Sequence, residues 1–321
     1  MNQSHIPGIE DIELASHRIE PWLHRTPVLT SSAINRLSGC SIFFKCENLQ
    51  KAGVFKSRGA TNAVFSLSDQ ELRKGVATHS SGNHAAALSL AASLRNADAY
   101  IVMPSNANMI KVKAVEEYGG KITFCEPTLQ SREDTLKKVI DETGANEVHP
   151  YNDVRVIAGQ ATCARELFQQ AENLDFILTP VGGGGLLSGT ALSTHFYSPQ
   201  TKVIAGEPSG ADDASRSFHS GTFIPSVSPN TIADGLLTSL GSVTFEIILK
   251  HVTDILTVSD TEIVNAMRLI WERMKIIAEP SSAVPLAVVL KNPRVFKDQR
   301  VGIILSGGNV DLNNLPFKAV K

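Results

Sequence analysis

A lysine, a run of four glycines and three short polar segments are the parts of this sequence that could do chemistry. The lysine is Lys56 in KAGVFKSRGA (residues 51–60), set behind Phe55 where a helix is expected to start. Most lysines are solvated surface charges. The small residues Gly59 and Ala60 point instead to close packing, and Arg58 nearby would help lower the amine's pKa toward that of a nucleophile. In VGGGGLLSGT (181–190), Gly182, Gly183, Gly184 and Gly185 precede an expected helix. Exposed N–H groups at a helix start suit a phosphate, and a permissive turn is the competing reading. The GxxxxGK[ST] loop is absent, and Leu187 and Ser188 stand where GxGxxG needs its third glycine, so no nucleotide is indicated by motif.

The other segments are open to two readings each. HSSGNHAAA (79–87) offers Ser80, Ser81, Asn83 and His84 either as a helix cap or as contacts to a ligand carboxylate. LSGGNVD (305–311) offers Ser306 as part of a turn or as a hydroxyl aimed into a cleft. GEPSGADD (206–213) sets Glu207 with Asp212 and Asp213, a solvated acidic loop or oxygen ligands for a hard cation.

Short apolar runs and longer amphipathic ones alternate from about residue 75 and position these segments. GVATHS, AYIVMP, KITFCEP, EVHP, DFILTPV, KVIAGEP, DILTVSD and VGIILSGGN read as strands, with helices such as NHAAALSLAASLRN and AGQATCARELFQQAE between them. Strict alternation implies an α/β protein with parallel sheets covered on both faces. Such sheets bind ligands beyond the carboxyl ends of their strands, where the polar and glycine-rich loops fall. SIFFKCE and the block from about 148 onward are expected to share one sheet, with a smaller sheet in 65–147. This gives a large domain of 1–64 and 148–321 and a small mobile domain of 65–147.

Composition narrows the partners. In 321 residues, 30 Lys and Arg against 32 Asp and Glu leave a net charge of −2, with no field to recruit nucleic acid or an anionic membrane. Glu10, Asp11 and Glu13 stand where a signal peptide needs a basic start and an apolar core, and AVPLAVVL is too short to span a membrane, so a cytoplasmic protein is expected. The four cysteines lack zinc or redox spacing and read as ordinary reduced thiols.

Together, VFKSRGA, SSGNHAAA, VGGGGLLSG, GEPSGADD and LSGGNVD resemble the fold-type II pyridoxal-phosphate enzymes, in particular the serine racemase and serine/threonine dehydratase group. The resemblance runs from HRTPVLTSS (24–32) through WERMKIIAEP to LSGGNVD. It implies a tryptophan synthase β-like architecture of two open, twisted, mostly parallel sheets with helices on both faces. Lys56 would then carry pyridoxal 5'-phosphate as a Schiff base and remove the substrate's α-proton. Phe55 would pack on the ring, Asn83 bond its phenolic oxygen, Gly182 to Gly185 its phosphate and Ser306 its nitrogen. Ser81, Asn83, His84 and Tyr151 would lie beside the substrate, and Glu207, Asp213 and the carbonyl of Ala211 would bind Mg2+, Ca2+ or Mn2+.

A hydroxyl at the ring nitrogen does not hold that nitrogen protonated, which disfavours transamination and suits β-elimination. The implied reaction is deamination of L-serine, L-threonine or 3-hydroxyaspartate to a 2-oxo acid and ammonia. Ser81 keeps amino-acid racemisation open as the alternative, since a serine there supplies a proton on the face opposite the lysine in racemase-like members. Tyr151, where such members carry asparagine, and Val54, where a serine hydroxyl near the phosphate is commoner, are departures that bear on the substrate. The resemblance further implies a homodimer and leaves a nucleotide effector open. No regulatory domain, and so no amino-acid feedback, is expected beyond residue 321. A non-catalytic cofactor-binding protein would use the same loops but has no need of the lysine.

Overall fold

The computed structural model describes residues 6–80, 82–107 and 109–317. Ten strands run in chain order: β1 (Val28–Leu29), β2 (Ser41–Cys46), β3 (Val76–His79), β4 (Ala99–Pro104), β5 (Gly120–Cys125), β6 (Asn146–Glu147), β7 (Phe176–Pro180), β8 (Lys202–Pro208), β9 (Asp254–Val258) and β10 (Arg300–Leu305). They form a six-stranded sheet of order β1-β2-β10-β7-β8-β9 and a four-stranded sheet of order β5-β4-β3-β6. Every pairing is parallel except β1 with β2. β7 is buried along its whole length and β10 nearly so, as parallel strands covered on both faces must be.

The expected elements lie where the apolar periodicity places them, with differences at ends and in short pieces. EVHP contributes only Glu147 to a two-residue strand. The helix expected from Ala158 starts at Val154, because the Asp153 side chain accepts from the N–H of Arg155 and caps it one turn earlier. β1 pairs over two residues, too few for any periodicity to mark.

Three helices pack on one another in series: Lys56–Phe65, Val154–Gln170 and Gly185–Tyr197. They cross at backbone contact. A Cβ on Gly159 would lie 2.6 Å from the carbonyl oxygen of Arg58, and one on Gly189 would lie 2.6 Å from the nitrogen of Ala161. The middle helix therefore touches the lysine helix on one side and the glycine-run helix on the other with no side chain between.

Beneath this crossing lies a buried ion cluster. Arg58, Lys45 and Glu47 have no exposed surface. The guanidinium of Arg58 bonds Glu47 at 2.7 and 2.8 Å and Glu166 at 2.7 and 2.8 Å. Lys45 Nζ adds 2.7 Å to Glu166 and 2.8 Å to the Thr26 carbonyl, while Thr26 donates to Glu47 at 2.6 Å. Two cations thus face two carboxylates with nearly every donor satisfied. Removing one partner strands the others in low dielectric. Arg58→Ala should lower unfolding stability by about 3–5 kcal/mol, measured by urea denaturation; a loss below about 1 kcal/mol, the scale of a surface pair, would contradict the buried network.

Candidate active site

The loops at the carboxyl ends of β3, β7 and β10 open onto one cleft of about 500 Å³. Phe55, Lys56, Asn83, His84, Tyr151, Gly182 to Gly185 and Ser306 all line it. Ser81 lies outside the described residues. Sequence positions as far apart as Phe55 and Ser306 are joined here because parallel strands deliver their carboxyl ends to one side.

Lys56 is the first residue of its helix, and the backbone before it is pinned to the end of β10. Phe55 N–H donates to the Ser306 carbonyl at 2.9 Å, and Val54 pairs with Gly307. Val54 is buried in that pairing and does not line the cleft, so the expected place beside the phosphate does not follow for its side chain. Lys56 Nζ donates to the Pro150 carbonyl at 2.7 Å and sits 5.1 Å from the Phe55 ring centroid. Burial lowers its pKa to about 8. The expected help from Arg58 is not the cause, since that guanidinium is turned away and neutralised by Glu47 and Glu166. Desolvation alone does the work.

Gly182 to Gly185 are buried, yet among the described residues their N–H groups meet no acceptor. Gly184 has φ +87°, which favours glycine, and a Cβ on Gly183 would lie 2.3 Å from the Tyr151 ring. Unpaired donors at the start of a 13-residue helix make an anion cradle, and a phosphate fits the donor set. Tyr151 closes its wall, stacked edge-on against His149 with centroids 4.6 Å apart.

The ring-facing candidates are held from behind. Ser306 Oγ lies 3.0 Å from the Ser282 hydroxyl, which also bonds the backbone of Gly307. Asn83 does not act as a cap: it is the first helical residue after Gly82, and its amide bonds Glu279 and Asn309. His84 Nε2 donates to the Val148 carbonyl, 3.1 Å away, and burial followed by the Lys56 charge pushes its pKa down to about 3. His149 falls to about 4, mainly through burial, and its Nδ1 accepts from the N–H groups of Tyr151 and Asn152, leaving its proton on Nε2.

Several cleft residues escaped the sequence reading. Lys111 and Arg132 lie on the helices Met109–Glu117 and Leu129–Thr143. Lys111 is ion-paired with Asp234. Arg132 bonds the Thr128 carbonyl at 3.3 Å through Nε, and among the described residues no carboxylate pairs with it. A charged helix with one cation turned inward has no distinct sequence signal. A second cavity of about 370 Å³ shares Gly82, Asn83 and Lys111 with the first and is bounded by Tyr118, Asn309 and Asp311.

Away from the cleft, GEPSGADD is no solvated loop. Glu207 is 1% and Asp213 2% exposed, and the carboxylate of Glu207 accepts from the N–H groups of Ala214 and Ser215 at 2.9 and 2.7 Å. Asp213 Oδ2 is buried with no partner among the described residues. Burial pushes Glu207 up to about 8 and Asp213 to about 6. Among the described residues no three His, Cys, Asp or Glu side chains converge as a metal site, and Glu207, Ala211 and Asp213 are each buried. The orphaned carboxylate oxygen fits a hard cation.

Comparison with known proteins agrees with this geometry. Over 313 residues the chain is 55% identical to the β-hydroxyaspartate dehydratase of Paracoccus denitrificans, covering 98% of this chain and 99% of that one. The L-threo-3-hydroxyaspartate ammonia-lyase of Saccharomyces cerevisiae is 45% identical over 308 residues, 96% of this chain and 94% of its own. The crystal structure of serine racemase from Dictyostelium discoideum superposes with a TM-score of 0.91 at 51% identity, over 95% of this chain and 99% of that one. Residues 19–307 match the family model described as pyridoxal-phosphate dependent enzyme. The chain belongs to that family, with the fold-type II architecture its two parallel sheets display.

Proposed function

We propose that this protein deaminates a small β-hydroxy amino acid, 3-hydroxyaspartate foremost, to a 2-oxo acid and ammonia. The observation that carries this reading is a desolvated amine, Lys56, facing the same cleft as a cradle of unpaired N–H groups. Bound between them, pyridoxal phosphate would supply an electron sink for charge developing at the substrate's α-carbon. Gly182 to Gly185 would bind its phosphate, Phe55 would pack on its ring, and Asn83 and Ser306 would meet its ring oxygen and nitrogen. Lys56 Nζ, neutral in part near physiological pH, takes the α-proton. The hydroxyl group leaves from the β-carbon, and the released enamine hydrolyses to the 2-oxo acid and ammonia.

The names of the two hydroxyaspartate-acting relatives support a dicarboxylic substrate, and Arg132 supports it independently. A distal carboxylate in this cleft needs a cation, and Arg132 has no anionic partner of its own among the described residues. His84, Tyr151 and Asn83 would complete the substrate's surroundings. Racemisation is the second reading, favoured by the likeness to serine racemase and by Ser81 in the sequence. The four-stranded sheet with its helices, 65–147, is the body we expect to close on the substrate. To the adjoining cavity we assign the nucleotide effector, the Tyr118 ring suiting a base and Lys111 a phosphate. Glu207, Asp213 and the Ala211 carbonyl would hold a divalent cation.

Four measurements test these assignments. Purified protein should carry a borohydride-reducible yellow chromophore, and Lys56→Ala should lose both the chromophore and 2-oxo acid production; retention of full activity would sink the proposal. Because only the neutral amine attacks, and its pKa is lowered from 10.5 to about 8, the rate at which apoenzyme takes up cofactor should rise with pH and level off above about 8. A half-point near 10.5 would show that the amine is not desolvated. Arg132→Leu should raise KM for 3-hydroxyaspartate about 10- to 150-fold, the scale of a lost charge-assisted bond of roughly 1.5–3 kcal/mol, while leaving serine turnover little changed; equal losses on both substrates would remove Arg132 from carboxylate recognition. Chelation should lower Tm, added Mg2+ or Ca2+ should restore it, and Asp213→Asn should abolish the response; a Tm indifferent to chelator and ion would refute the cation site.

A further inference from the structure

Glu279 is a carboxylate with no evident reason to be buried where it is. It is 3% exposed, lines the cleft and stands at the N-cap position of the helix Pro280–Lys291 without its side chain bonding the helix's N–H groups. No cation pairs with it among the described residues, because Lys111, whose charge reaches it, is bonded to Asp234. Burial, reinforced by the charge of Asp234, pushes its pKa up to about 7. An unpaired buried carboxylate is costly, and such groups persist where function requires them.

Its contacts suggest the requirement. Both carboxylate oxygens lie 3.1 Å from Asn83 Nδ2, and Oε2 accepts from the N–H of Asn309 at 3.3 Å. Asn309 Nδ2 in turn donates 2.9 Å to Asn83 Oδ1 and 3.0 Å to the Ala52 carbonyl. A Cβ on Gly307 would come within 2.9 Å of Glu279 Oε1, so the glycine leaves room for the carboxylate. The Asn83 amide is therefore gripped at both ends by partners of opposite kind. Flipping it would set its oxygen against a carboxylate and its NH2 against another NH2, and both contacts repel.

We infer that Glu279 is a positioning residue: by accepting one hydrogen of Asn83 Nδ2, with Asn309 donating to Oδ1, it keeps the amide's second hydrogen directed into the cleft as a donor. This rests on the proposed role of Asn83 at the cofactor's phenolic oxygen. The geometry spans the two sheets, since Asn83 starts a helix of the small-sheet segment while Glu279 and Asn309 belong to the large-sheet part of the chain. The neighbouring Ser282, on the same helical turn, holds Ser306.

The test uses holoenzyme, with the absorption spectrum of bound pyridoxal phosphate as the readout beside kinetics. Glu279→Ala should shift that spectrum and lower kcat about 10- to 100-fold, the scale for outer partners of a liganding side chain, with KM changed less than about threefold. Glu279→Gln retains an oxygen that can accept the same bond and should restore the spectrum and most of kcat. A wild-type spectrum in Glu279→Ala would overturn the inference, as would a Gln variant as impaired as the Ala variant. Should Glu279→Ala fail to fold by circular dichroism, Asn309→Ala loosens the other end of the amide and must shift the spectrum too; an unchanged spectrum there overturns the inference. Absence of the Lys56 chromophore in the wild type would instead defeat the parent proposal.

Discussion

The structure is organised around the buried pairing of Arg58 and Lys45 with Glu47 and Glu166. These residues come from β2, the turn after it, the lysine helix and the Val154–Gln170 helix, so the cluster forms only when all four segments are in register. Ions taken out of water give little net stability compared with apolar side chains of equal volume. What they impose is uniqueness, because any shift of one helix against the sheet would leave a charge unpaired. The cluster also removes the charge of Arg58 from the vicinity of Lys56, only two residues away. The amine is then governed by its desolvation, with no strong cation on its own helix to complicate it.

The same economy of charge runs through the cleft. His84 and His149 are both held neutral by burial, so the imidazoles nearest Lys56 offer hydrogen-bonding surfaces without competing for its proton. The anion cradle is built of backbone groups, which carry no counter-charge to be neutralised. Of the charged side chains lining the cleft, Lys111 is matched by Asp234, Glu279 is buried against Asn83, and Arg132 has no carboxylate partner among the described residues. A cleft arranged in this way offers an anion two kinds of partner, backbone N–H groups and an unmatched guanidinium.

Much of this was legible in the sequence. Strand and helix alternation placed the two sheets, the segments carrying the glycine run, Asn83 and Ser306 fell at strand ends that the fold brings together, and Lys56 fell at a helix start. Their separations in the chain carry no geometric information, so it was the resemblance that joined them. What escaped has a common physical character. Arg132 and Lys111 lie on charged helices where only the three-dimensional turn decides which side faces inward. Glu279 reads as an acid before a proline at a helix start, which is an ordinary capping arrangement. Ser282 is one serine among many. Burial, not residue type, sets these groups apart, and burial of a single polar side chain leaves no periodicity to detect.

The glycine crossings of the three central helices set the scale of the cleft. Gly159 meets the carbonyl of Arg58, and Gly189 meets the nitrogen of Ala161, both without an intervening side chain. Lys56 begins the first of these helices and the glycine run leads into the third, so the spacing of the Lys56 backbone from the anion cradle is set through main-chain contacts. Rotamer changes cannot stretch it, and neighbouring substitutions cannot easily retune it. The chain carries, in effect, a ruler for its ligand, fixed in length at one end of the cleft.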